Sequence, residues 1–176
     1  MAPPMAARSA GLLVFRVSGD GEVEVLLAHP GGPFWARKDL GAWSVPKGEY
    51  GADEGAIAAA YREFREETGL APPDGTPLEL GARVQAGGKR VSVWALEGDP
   101  DVTGAHSNTF ELEWPRGSGR IRSYPEIDRL EWMPLARART KLLKGQVPFL
   151  DDLLAVLAAT GRVTKDGGVD EVPPPG

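Results

Sequence analysis

Residues 48–70, GEYGADEGAIAAAYREFREETGL, constrain this chain more than any other stretch. Three glutamates, Glu63, Glu66 and Glu67, fall within five positions of one expected helix. At about 100° per residue they share one sector roughly 100° wide. Ile57, Ala60, Tyr61, Phe64 and Thr68 gather on a neighbouring sector, which reads as the face that packs down. One face of the helix is therefore buried and the next is a carboxylate cluster. Like charges this close repel and raise one another's pKa values. An ordinary solvated face would intersperse lysines between them. A hard divalent cation resolves the conflict, because Mg2+ prefers oxygen ligands and keeps waters and phosphate oxygens in its shell.

The spacing is more specific than the cluster alone. It runs Gly, five residues, Glu, seven residues, Arg-Glu, an apolar residue, any residue, Glu-Glu, any residue, Gly and an apolar residue. Gly48, Glu54, Arg62, Glu63, Phe64, Glu66, Glu67, Gly69 and Leu70 fill it. This resembles the Nudix box, the signature of the Nudix hydrolase superfamily, and is far more specific than a lone glycine-rich phosphate pattern. Phe64 stands where an aliphatic residue is more usual, a departure expected to affect packing rather than chemistry. The resemblance implies an α/β (α+β) Nudix fold, an α/β/α sandwich with a mixed central sheet. It implies Glu63, Glu66 and Glu67 as metal ligands, joined by the carbonyl of Lys47 just before Gly48. The cofactor so implied is Mg2+, with Mn2+ as the alternative. Gly48 is expected to take backbone angles closed to other residues, turning that carbonyl toward the metal. Arg62, four residues before Glu66, would orient the glutamates. The superfamily often recruits one more glutamate from outside the box, as ligand or base. Glu126 is the first candidate here and Glu113 the second, and the base is either a box glutamate or one outside the box such as Glu126.

Composition narrows the rest. The chain has 176 residues, enough for one domain with a sizeable core. A net charge of −5 argues against a long nucleic acid as partner, though a bound metal would invert the local field for a nucleotide. There are no cysteines, which excludes disulfides, zinc-thiolate sites and thiol catalysis. No apolar run approaches the ~20 residues that span a membrane, and the start does not read as a secretory signal. The expected compartment is the cytoplasm. We read residues 1–8 as a disordered lead, 9–160 as a single domain, and the proline-rich 161–176 as a disordered tail.

Taken in order, Ser9–Arg16 and Val23–His29 read as a hairpin turning at Gly19–Gly21. His29 reads as structural. Residues 29–42, HPGGPFWARKDLGA, form a loop that must lie near the box. Its Trp35, Arg37 and Lys38 would stack on a base and meet phosphates. The alternative is an aromatic cap on the sheet edge with solvated cations. Trp43–Val45 is a short strand candidate. The Lys47 side chain either faces substrate phosphates or is solvated. The helix is expected to begin near Asp53, an N-cap, and to end at Gly69 as a left-handed cap.

Leu78–Val84, Lys89–Leu96, Thr109–Trp114 and Arg129–Met133 follow as strands, and Pro115–Pro125 as a basic loop. That loop offers Arg116, Arg120 and Arg122 to phosphates and Tyr124 to a base; the alternative is a mobile solvated loop. His106 reads as a surface residue. Helices over Ala136–Leu143 and Val147–Ala159 complete the domain, with Phe149, Leu150, Leu153, Leu154 and Leu157 as core. The order of segments is similar to bacterial nucleoside-polyphosphate pyrophosphohydrolases, themselves similar to diadenosine polyphosphate hydrolases. This implies a nucleoside triphosphate or dinucleoside polyphosphate substrate, with ADP-ribose or a nucleotide sugar as the alternative. A monomer or homodimer is expected. A non-catalytic nucleotide-binding module is the reading from another class; such modules usually lose box glutamates, and here all are retained.

Overall fold

The computed structural model describes residues 7–162. The expected disordered lead and tail lie outside the described residues, apart from positions 7, 8, 161 and 162; Arg8 already opens the first strand. Strands are β1 (Arg8–Val17), β2 (Val23–Pro30), β3 (Lys47–Glu49), β4 (Leu78–Val84), β5 (Arg90–Glu97), β6 (Thr109–Glu113), β7 (Ile121–Pro125) and β8 (Ile127–Pro134). Helices are α1 (Ala56–Thr68), α2 (Leu135–Lys141) and α3 (Pro148–Ala159). The main sheet runs β4-β5-β1-β2-β8, with β3 pairing beside β2 on β1. It is mixed: β1 and β5 are parallel, and the other pairs are antiparallel.

The strand sequences explain the layers. In β1 the residues of LLVF alternate between two cores. Leu13 and Phe15, with Val25 and Leu27 of β2, face Phe149, Leu150, Leu153 and Leu157 of α3. Leu12, Val14 and Leu26 face Ala59, Ala60 and Phe64 of α1. A strand covered on both faces must read as a continuous apolar run, and β1 does. The result is the expected α/β/α sandwich around a mixed sheet. Full burial of Phe64 contributes about 1.5–3 kcal/mol, and the alanines before it let the helix sit close to β1. No helix among the described residues is long and apolar enough to cross a membrane.

Four local expectations are corrected. Helix α1 starts at Ala56, not near Asp53; its N-cap is Gly55, which has no side chain to bond the helix. The reason is Arg62, which draws both oxygens of Glu54 into a forked ion pair before the helix begins. Ile57, assigned to the packed face, is 40% exposed, because it lies in the first turn, away from Phe64. Trp43 and Ser44 form only isolated bridges, and the short strand is Lys47–Glu49. The stretch 115–125 is not all loop, since residues 121–125 form β7 and pair with β6 as a separate hairpin.

Gly69 ends α1 in the left-handed region, at φ 70°. A methyl group there would also meet His106 Nδ1 at 2.5 Å and the His106 carbonyl oxygen at 2.7 Å. Both the backbone and the neighbour exclude a side chain. Gly69→Ala is expected to destabilise the protein by about 2 kcal/mol, measured by urea unfolding.

Candidate functional site

The box glutamates do not form one uniform face. Arg62 projects from α1 as a hub. Its Nε and Nη2 each lie 2.8 Å from Glu54, and its Nη1 lies 2.8 Å from Glu63 and 3.1 Å from Glu66. Glu66 is the outermost of the three, its side chain 44% exposed. Glu63 points inward, onto β3. Glu67 also reaches β3, where its Oε2 accepts the Lys47 backbone N–H at 3.0 Å. So Lys47 and Gly48 form a ledge, and two carboxylates rest on it.

Gly48 is a glycine for a different reason from the one expected. It sits in the extended strand β3, outside the positive-φ glycines of the chain. A methyl group at Gly48 would lie 2.0 Å from Glu63 Cδ and 2.1 Å from Glu63 Oε2. The close approach of a carboxylate, rather than an unusual backbone angle, requires the missing side chain.

Burial strains these charges. The Glu67 carboxyl is pushed up to about 8, first by burial and further by the charges of Glu63 and Glu126; the Lys47 amide and ammonium oppose the shift. Glu63 is raised as well, again mainly by burial, against the pull of Arg62. Burial lowers the Lys47 ammonium, and nearby Lys89 lowers it further. Among the described residues no three acidic or histidine side chains converge on one point; each box carboxylate is held by Arg62 or the Lys47 amide. The donors are all oxygen and their sum is negative, the chemistry that hard divalent cations take.

A cavity of about 230 Å3 opens beside this ledge. Lys47, Glu67 and Glu126 are polar members of its lining, and Trp35, Ile127 and Leu143 are apolar ones. Four of the singled-out residues thus share one cavity, although Trp35 and Glu126 lie 91 positions apart (126 − 35). The Lys38 ammonium lies 5.0 Å over the Trp35 ring. Arg37 is exposed on the same loop.

The β6–β7 hairpin covers that loop from outside. Gly31 N–H donates to the Glu126 carbonyl at 2.9 Å, Phe110 lies against Gly32, and Phe34 meets Trp114 edge-on at 5.2 Å. Tyr124 packs on Phe110 with ring centres 6.0 Å apart, and Arg120 is exposed at the hairpin turn. Neither lines the cavity. Glu113 accepts the Gly119 N–H within the hairpin and is likewise outside the cavity. His106 is exposed, and His29 is fully buried.

Sequence reasoning did not single out Ala28, Pro30, Ser44 and Leu143 as cavity residues. It also passed over Gln146, buried with its Oε1 accepting Val45 N–H at 2.9 Å and its Nε2 donating to Ser44 Oγ at 3.0 Å. Its only signal was a polar residue between two amphipathic helices.

The family model of the NUDIX domain matches residues 5–153. An RNA pyrophosphohydrolase of Xanthomonas campestris pv. campestris (strain B100) is 47% identical over 49 residues, 27% of this chain and 24% of that protein. One from Xylella fastidiosa (strain 9a5c) is 45% identical over 49 residues, 27% of this chain and 26% of that protein. The matched stretch is thus about a quarter of these relatives' length. Among solved structures, a C. elegans Ap4A hydrolase binary complex aligns with TM-score 0.60 at 22% identity, over 86% of this chain and 98% of the other. The NUDIX domain of Shewanella oneidensis NrtR complexed with ADP ribose aligns with TM-score 0.55 at 19% identity, over 92% and 90%. At these identities the structural likeness speaks for the fold.

Proposed function

The chain belongs to the Nudix domain family, and from that premise we propose that it is a divalent-metal-dependent hydrolase that cleaves a phosphoanhydride in a nucleoside triphosphate or dinucleoside polyphosphate. The observation that carries this reading is the ledge: two strained carboxylates, Glu63 and Glu67, resting on Lys47–Gly48 at the mouth of a cavity walled by Trp35. A structural helix gains nothing from buried like charges. A site for a polyphosphate with its cation does.

Glu63, Glu66 and Glu67, with the Lys47 carbonyl, are the residues that would hold Mg2+, or Mn2+ in its place. When bound, the metal neutralises charge on the phosphoryl oxygens and offsets the crowding of the carboxylates. The protein's own contributions are positional. Arg62 holds Glu63 and Glu66 from one guanidinium. The Lys47 ammonium faces the polyphosphate chain. Glu126, exposed at the cavity rim, would take the proton of the attacking water as that water adds to phosphorus and the anhydride oxygen leaves. Glu67, with its raised pKa, is the other candidate for that proton. Trp35 and Ile127 receive the nucleobase, and Lys38 and Arg37 lie on the same loop for the phosphates.

A triphosphate at an RNA 5′ end is a second reading, favoured by the names of the curated relatives and by Arg116, Arg120 and Arg122 on the overlying hairpin. ADP-ribose and nucleotide sugars are further substrates to compare. A product-analysis panel over these classes, with and without Mg2+, tests the reading. Metal-dependent release of a mononucleotide, nucleoside diphosphate or pyrophosphate is the expected result. Metal-independent binding without turnover would instead indicate a nucleotide-sensing module. Within an active class, Trp35→Ala is expected to raise KM by about tenfold with kcat little changed, since base stacking contributes about 1–3 kcal/mol.

A further inference from the structure

His29 is fully buried at the centre of a polar network that the proposed chemistry does not use. Its Nδ1 lies 2.7 Å from Asp128 Oδ1, and its Nε2 lies 2.6 Å from the Lys38 carbonyl oxygen. Both partners are acceptors, and the ring spans the gap between them. Trp43 packs edge-on to the ring at 5.1 Å and donates its indole N–H to Asp39. Arg129 lies 5.1 Å over the other ring, that of Trp43.

The backbone shows why Asp128 reaches inward. His29 pairs with Arg129 of β8, but Pro30 pairs with Ile127, so Asp128 is the extra residue of a bulge. Bulges re-aim side chains beside functional sites. On one side of His29 is the carbonyl of Lys38, on the loop that carries Trp35. On the other is Asp128, two residues past Glu126 and next to Ile127. Trp35 is one wall of the cavity; Glu126 and Ile127 are another.

Resting on the reading of that cavity as a nucleotide site, we propose that His29 and Asp128 form a clasp that holds its two walls at fixed separation. They are positioning residues: they touch no substrate, and they set how well the nucleobase fits between Trp35 and Ile127. Two properties separate this role from ordinary core packing. The clasp spans two segments 99 positions apart at the cavity, and its acidic arm, 31% exposed, can be removed without emptying the core.

The test compares Asp128→Ala and His29→Gln with Asp128→Asn, which keeps an oxygen facing Nδ1. Binding of a non-hydrolysable ATP analogue is measured by calorimetry, KM and kcat are measured on ATP, and amide exchange is followed along residues 32–42. In Asp128→Ala, Kd and KM are expected to weaken by about tenfold with kcat within about twofold, the loss of one charge-assisted hydrogen bond. Amides of the 32–42 loop should exchange faster while those of β1 and β5 keep wild-type protection. Asp128→Asn should restore binding to within about twofold of wild type. A folded Asp128→Ala with unchanged Kd and unchanged loop exchange would overturn the clasp. So would exchange accelerated across the whole sheet, which marks a merely structural role. A wild-type protein that neither binds nor hydrolyses nucleotide would overturn the functional reading itself, and the clasp's role with it.

Discussion

Glu67→Gln is expected to lower metal-dependent turnover by about a thousandfold while leaving the protein folded. The substitution preserves shape and keeps an oxygen for the Lys47 N–H, so the ledge survives. What it removes is a negative charge on the cavity wall. The same variant carries a stability signature of opposite sign. In metal-free protein the Glu67 carboxyl is pushed up to about 8 by burial, from an ordinary value of 4.5. The folded state therefore holds the proton more tightly than the unfolded chain does. Its contribution is fully present below pH 4.5 and is lost as pH rises toward about 8. Wild type should thus weaken across this window, by an amount on the order of a few kcal/mol. The glutamine variant should not. Urea unfolding in EDTA at pH 5 and pH 8 measures both slopes. Added Mg2+ should stabilise wild type at pH 8 by mass action and the variant much less. Equal slopes for the two proteins would mean that Glu67 is not strained by its surroundings.

Gly48→Ala is the second large effect expected, a fall in kcat of about a hundredfold with little loss of stability. The backbone of β3 is extended and accepts alanine without strain. The new methyl group, however, would occupy the place of the Glu63 carboxylate, 2.0 Å from its Cδ. Glu63 must swing off the ledge, toward Arg62 and solvent. Because the displaced group is a side chain, the sheet stays intact, and thermal unfolding should shift by only a few degrees. Loss of fold instead of activity would show that Gly48 matters for pairing with Ala10 rather than for the approach of Glu63.

Much of the fold was legible because local physics dominates it. The alternating apolar residues of β1 and β2 require cover on both faces, and the strand boundaries fell within a residue or so of expectation. Gly69 was readable as a helix end because few residues other than glycine tolerate a left-handed cap. Leu78–Val84 was readable as a strand despite its Gly81 bulge. The start of α1 was not, because a remote residue decides it: Arg62, eight positions downstream, claims Glu54. The strand β7 was missed because it has no core face of its own and is exposed along most of its length. Its order comes from pairing with β6 and from Phe110 and Phe34 packing across segments.

By itself the sequence determined the box, its three glutamates and the layers that present them, since spacing along one helix is a local property. Only the tertiary structure decided how those acids divide. Glu66 faces solvent, while Glu63 and Glu67 turn onto β3, because Gly48 and the Lys47 amide make room and supply a donor. It also decided which distant residues join them. Trp35 and Glu126 share the cavity, whereas Arg120, Tyr124 and Glu113 stand on the hairpin outside its lining. Those meetings depend on sheet order and on a one-residue bulge at Asp128, and such long-range contacts leave no periodic trace along the chain.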